Sequence, residues 1–147
     1  MNAEFPLEFV DTNILVYAYD KSAGVKHQRA ASLLTDLWQT QRGCISVQVL
    51  QELYVVGTRK LAWLRTSDLR AVLRDLSEWR LHTSTAKDVL DAAELQERMQ
   101  ISFWDAMILQ SATMLGCRII WSEDLNSGQQ YGSVRLLNPF QVDNSRK

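Results

Sequence analysis

The chain is poor in the residues that usually give chemistry away. Its 147 residues include two cysteines, two prolines, six glycines and two histidines. Cys44 and Cys117 lie outside any Cys-x-x-Cys spacing, which excludes a disulfide framework or a zinc knuckle and leaves two buried thiols as the expectation. His27 and His82 lack the i,i+4 metal spacing and read as surface or boundary residues. The glycines form neither a phosphate loop nor a dinucleotide fingerprint, and there is no Gly-x-Ser-x-Gly elbow. The longest uninterrupted apolar run, residues 14–19, is far short of the ~20 residues that span a bilayer. Residues 1–8 have neither a basic start nor an apolar stretch, so the expectation is a cytoplasmic protein with no membrane partner. Charge of one sign is lacking too: 16 Lys plus Arg face 17 Asp plus Glu, a net charge of -1. That balance excludes a polycationic nucleic-acid binder, though not an enzyme that grips nucleic acid through a local patch.

What is present is the composition of one ordinary domain, 46% hydrophobic and 22% charged. With Pro6 and Pro139 near the ends and no linker or repeat between, a single domain over residues 5–141 is expected, followed by a polar tail at 142–147. Hydrophobic periodicity predicts strands at 7–10, 44–46, 80–83, 118–122 and 134–137. Helices are predicted over 14–19, 25–41, 47–61, 69–79, 86–99 and 103–116, with cap signals at 66–68, at 83–85 and at Ser102. Strands alternating with helices imply a three-layer α/β/α fold with a mostly parallel central sheet of about five strands. Ligands in such folds bind beyond the carboxyl ends of the strands.

Most acids fall among polar residues, as Asp68, Asp75, Asp88, Asp91 and Glu97 do, or four residues from a base, as in Arg74/Glu78 and Glu94/Arg98. Three do not. Asp11 ends an apolar strand and is followed by Ile14-Leu15-Val16. Glu52 has Val49, Val55 and Val56 at i-3, i+3 and i+4, and Asp105 has Ile101, Ile108 and Leu109 at i-4, i+3 and i+4. No Lys or Arg lies within four residues of any of them. An ionised carboxylate facing a core must be paired, hydrogen-bonded or bound to metal, which leaves distant arginines, protonation or a shared divalent cation. Asp124, two residues after the strand segment 119–122, adds a second acid at a strand end. Four oxygen donors of this kind suit Mg²⁺ or Mn²⁺ rather than zinc.

Four segments, Phe9-Val10-Asp11-Thr12-Asn13-Ile14-Leu15, Val47-Gln48-Val49-Leu50-Gln51-Glu52-Leu53-Tyr54, Ile101-Ser102-Phe103-Trp104-Asp105-Ala106 and Trp121-Ser122-Glu123-Asp124-Leu125, resemble in order the motifs of PIN domains, in particular VapC-like ribonuclease toxins of type II toxin–antitoxin pairs. The resemblance covers about residues 7–140. It implies a Mg²⁺- or Mn²⁺-dependent endoribonuclease that leaves a 3′-hydroxyl and a 5′-phosphate, with a cognate antitoxin and a homodimer as partners. It also implies that Asp11, Glu52, Asp105 and Asp124 are the catalytic, metal-holding acids, with Asn13 and Ser122 supporting them. Many relatives carry a further acid where this chain has Asn126, so a second ion would meet one less charge. A PIN-like module that binds RNA or metal with little turnover, or a general RNA-processing nuclease, is the alternative. A phosphoacceptor domain would need adjacent acids after the first strand, where Thr12-Asn13 stand.

Residues 59–74 hold five bases and one acid, and Arg59 and Lys60, immediately after the Glu52 helix, are the candidates for RNA phosphate contacts. Trp38, Trp79, Trp104 and Trp121 are expected in the core, with partial exposure at an oligomer face, and Trp63 exposed or in the core, with stacking on an unpaired base as its alternative.

Overall fold

The computed structural model describes residues 5–141; the expected tail at 142–147 lies outside them. Strand β1 (Glu8–Val10) leads into helix α1 (Thr12–Tyr19), a short 3₁₀ turn (Lys21–Ala23) and α2 (Val25–Thr40). Then come β2 (Gly43–Ser46), α3 (Val47–Lys60), α4 (Thr66–Leu76) and β3 (Arg80–His82). Helices α5 (Ala86–Met99) and α6 (Phe103–Met114) precede β4 (Ile119–Trp121), β5 (Gln130–Tyr131) and β6 (Val134–Leu137). The sheet order is β3-β2-β1-β4-β6-β5, parallel throughout except for the β5/β6 pair. Phe9 stands beside Cys44 on one side and Ile120 on the other.

The chain builds outward from β1 to β2 and β3, then returns across the sheet to β4 on the other side of β1. Right-handed crossovers place helices of opposite direction of travel on opposite faces. Accordingly α1 packs on α2 and α3, and α3 on α4, while α5 packs on α6, which lies against β2, β4 and β6. The three layers are as expected, and the sheet has six strands rather than about five. The additional strand, β5, is two residues long, one exposed and one buried, and falls in a segment with no apolar run.

Local chemistry explains the boundaries. The Ser46 and Ser102 hydroxyls accept the backbone N–H groups of Val49 and Asp105, and Thr85 and Asp88 form a reciprocal capping box. Helix α4 begins earlier than expected: the Thr66-Ser67-Asp68 run forms its first turn, because the Asp68 carboxylate reaches back to the N–H of Arg65. Helix α6 stops at Met114, two residues before Gly116, whose φ of 76° only glycine adopts freely.

Phe9, Ile45, Ile120 and Leu136 from four strands are fully buried, with Ile14, Leu15, Leu37 and Leu53 from the helices above them. Cys44 and Cys117 are buried free thiols, as expected. Asp88, expected among polar residues, is buried instead, and so is Glu8. Glu8 accepts hydrogen bonds from Arg42 (2.5 Å) and the Trp121 indole (2.7 Å), and Asp88 from Gln110 and the Thr85 N–H, with the His82 ring 3.2 Å away. The Thr85 and Gln110 bonds hold the Asp88 carboxyl below the usual carboxylate range. Among the described residues, the ion pairs within α4 and α5 and their caps are Arg65–Asp68 and Lys87–Asp91, in place of the anticipated Arg74/Glu78 and Glu94/Arg98. Among the described residues, no helix is long and apolar enough to cross a membrane.

Candidate functional site

A cleft of about 640 Å³ opens where the chain reverses direction in the sheet, at the carboxyl ends of β1 and β4. Crevices at such switch points are formed because the loops leaving neighbouring strands diverge to opposite faces. Asp11, Glu52, Asp105 and Asp124 all line it, as do Asn13, Arg59 and Lys60.

Asp11 is both the residue after β1 and the N-cap of α1, its carboxylate accepting the Thr12 N–H at 2.7 Å and the Ser122 hydroxyl at 2.7 Å. Its own N–H donates to the Trp121 carbonyl, which ties β1 to β4 at the cleft floor. Burial pushes the Asp11 carboxyl up to about 7, against the two hydrogen bonds and with help from the negative charges of Asp124 and Glu52. Ser122 is fully buried and works twice, donating to Asp11 and accepting the Asp124 N–H at 3.1 Å. Glu52 projects from the cleft face of α3 and accepts the Thr12 hydroxyl at 2.9 Å. Asp105 lies in the first turn of α6, where burial and the Asp124 charge raise its carboxyl above the ordinary range and the Ser102 bond opposes them.

The four acids therefore share one cleft and one electrostatic field. They do not converge on a point: among the described residues no three Asp, Glu, His or Cys side chains are grouped closely enough to enclose an ion. Like charges spread, and Asp11 and Glu52 are turned toward hydroxyls. The donor chemistry nonetheless fits Mg²⁺ or Mn²⁺, which take oxygen ligands and keep several waters while resting on one or two carboxylates. The side-chain amide of Asn13 is a further indication of fit, since both its polar atoms are buried at the cleft without a hydrogen-bond partner. Asn126 is not brought to the cleft; it is exposed and its amide donates to Gln129.

Helix α3 forms one wall. Gln48, Glu52, Val55, Val56, Arg59 and Lys60 recur every third or fourth residue along its cleft face, and Val55 is exposed there. Sequence reasoning missed three contributors. Thr12 links α1 to Glu52, and its signal was a hydroxyl directly after the strand-end acid. Glu123 accepts from Tyr17 at 2.8 Å and pairs with Lys26 at the cleft edge; burial opposes its ionisation, but those two bonds hold its carboxyl below the ordinary range. Trp104, expected in the core, is 61% exposed and lines the cleft beside Asp105.

Fold and site together define a doubly wound α/β domain with an acid-lined cleft at its switch point. A family model for the PIN domain matches residues 9–129, and the chain belongs to that family. No curated protein sequence matches it. Among solved structures it is similar to VapC20 of Mycobacterium tuberculosis, a sarcin–ricin-loop-cleaving toxin, at 21% identity and TM-score 0.62 over 80% of this chain and 89% of that one. It is also similar to a toxin–antitoxin complex from Klebsiella pneumoniae, at 17% identity and TM-score 0.68 over 92% and 99%. A third neighbour is DNA-bound VapBC from Salmonella typhimurium, at 16% identity and TM-score 0.65 over 92% and 99%.

Proposed function

We propose that the protein is a divalent-cation-dependent endoribonuclease and the toxin of a toxin–antitoxin pair, acting in the cytoplasm. The observation that carries the activity is the Asp11 carboxylate, buried in a chain-reversal cleft within the field of Glu52 and Asp124 and held by Ser122 and Thr12. A protein does not bury an acid among acids for stability; the arrangement becomes favourable when a cation joins it. The toxin assignment rests on the PIN family and on neighbours that are themselves a toxin and toxin–antitoxin assemblies. A cognate antitoxin and a second copy of the chain are the partners we assign.

Asp11, Glu52, Asp105 and Asp124 would hold the ion, with Asn13 beside them. A Mg²⁺ or Mn²⁺ ion there would polarise the phosphodiester and lower the pKa of a bound water. The chain's own groups do the rest. Ser122 orients Asp11, and Thr12 orients Glu52, so two carboxylates from different elements keep fixed directions. Arg59 and Lys60 neutralise backbone phosphates entering along α3. Glu52 or Asp105, both half-buried, would accept the proton of the attacking water.

A second reading, a PIN domain that binds RNA or metal with little turnover, is favoured by the spread of the acids and by Asn126 lying outside the cleft. The test that separates the two is RNA cleavage by EDTA-treated protein after addition of Mg²⁺ or Mn²⁺. Cleavage that returns with the ion and is lost in Asp11→Asn supports the enzyme; RNA affinity without cleavage at any divalent ion supports the binding module.

A further inference from the structure

We propose that Trp104 is the stacking platform for an unpaired base of the RNA, next to the phosphate held at the acids; this rests on the ribonuclease reading above. Trp104 is 61% exposed, whereas Ala106, Met107, Ile108 and Leu109 that follow it on α6 are buried. It lines the same cleft as Asp105, its chain neighbour. Its ring meets Phe103 edge-on at 5.3 Å, and the Gln48 amide donates to its carbonyl at 3.4 Å, which anchors it to the start of the α3 wall.

The α3 wall gives the cleft a direction. From Gln48 to Lys60 the helix rises about 18 Å, at 1.5 Å per residue. Trp104 stands at the Gln48 end, Glu52 follows it, and Arg59 and Lys60 occupy the far end. Among the described residues, Asp11, Asp20, Glu52, Asp105, Glu123 and Asp124 line the cleft against Arg59 and Lys60, with Lys26 at its edge paired to Glu123. Phosphate attraction can therefore hold a polyanion at one end and not at the other. A base stacked on an indole supplies grip that needs no positive charge and tolerates any base, because every base has a π-face. Basic contacts at the far end and an aromatic face at the near end match single-stranded RNA.

The test uses full-length protein in the Asp11→Asn background, so that RNA is held without being cut. A short mixed-sequence single-stranded oligoribonucleotide is titrated in Mg²⁺ against that parent and against versions carrying Trp104→Ala or Trp104→Phe, with tryptophan fluorescence as the readout. Trp104→Ala is expected to weaken binding roughly 5- to 100-fold, Trp104→Phe less, and both to lose part of the fluorescence quench seen in the parent. In the cleavage-competent protein, Trp104→Ala is expected to raise KM with little change in kcat. Unchanged affinity and quench in Trp104→Ala would overturn the proposal. So would an effect on kcat alone, which would make Trp104 a support for Asp105, or a drop in sedimenting mass with RNA affinity intact, which would make it a contact between copies. Cleavage persisting in Asp11→Asn itself would overturn the ribonuclease site and is read separately.

Discussion

Replacing Asp11 by Asn is expected to make the metal-free protein more stable while destroying its activity. Asp11 is buried, and its carboxyl is raised from 3.8 to about 7 by burial first and by its acidic neighbours. An acid whose folded-state pKa is raised disfavours folding once it ionises. Between about pH 4 and 7 the unfolded chain has released this proton and the folded chain has not, so stability falls as pH rises through that window and levels off above it. At 1.36 kcal/mol per pKa unit, the displacement corresponds to about 4 kcal/mol at pH 8, and relaxation around the charge brings the expected gain in Asp11→Asn to about 2–4 kcal/mol. The amide keeps the geometry, its oxygen accepting the Thr12 N–H and its NH₂ donating to a rotated Ser122 hydroxyl. Urea unfolding in EDTA measures this directly, since 2 kcal/mol shifts the midpoint by roughly 1 M at an m-value of about 2 kcal/mol/M. The advantage should be small near pH 4, grow to pH 7, and shrink when saturating Mg²⁺ stabilises the parent alone. A variant less stable than the parent at pH 8, or an advantage independent of pH, would refute the reasoning.

Three further outcomes follow from particular contacts. Ser122→Ala removes the hydroxyl that lowers the Asp11 carboxyl and accepts the Asp124 N–H, so the acidic limb of the pH–rate profile should move to higher pH and activity should fall about 10- to 100-fold. Arg42→Ala removes the ion pair to the fully buried Glu8, and thermal or urea unfolding should report a loss of about 3–5 kcal/mol. Gly43→Ala places a Cβ 2.6 Å from the Trp79 ring, forcing the ring to shift at about 1–3 kcal/mol, again read by unfolding.

The parts of the fold legible in the sequence were those set by local chemistry. Apolar periodicity located every helix, and Thr85 and Ser102 were recognisable caps because the hydroxyl and its N–H partner lie three residues apart. The misreadings arise where distant partners decide. Asp88, read as an acid among polar residues, is buried because Gln110, 22 residues on, reaches it, and Glu8 is buried beside Arg42 and Trp121, 34 and 113 residues away. Strand β5 exists only as the antiparallel partner of β6. For the acids, apolar neighbours marked faces that turn inward, and Asp11 is indeed buried at a strand end. The same pattern could not show that the inward faces of α3 and α6 open onto a cleft, so Trp104 was assigned to a core it does not enter.

The central claim is that these acids serve a divalent cation in cutting RNA, and one comparison tests it most directly. Protein stripped with EDTA is mixed with a single-stranded RNA pool, with and without added Mg²⁺ or Mn²⁺, beside Asp11→Asn carried through the same steps. Cleavage is expected only in the parent with ion present, and none by Asp11→Asn at any ion concentration. Equal cleavage with and without the ion, or by the variant as fast as by the parent, would contradict it.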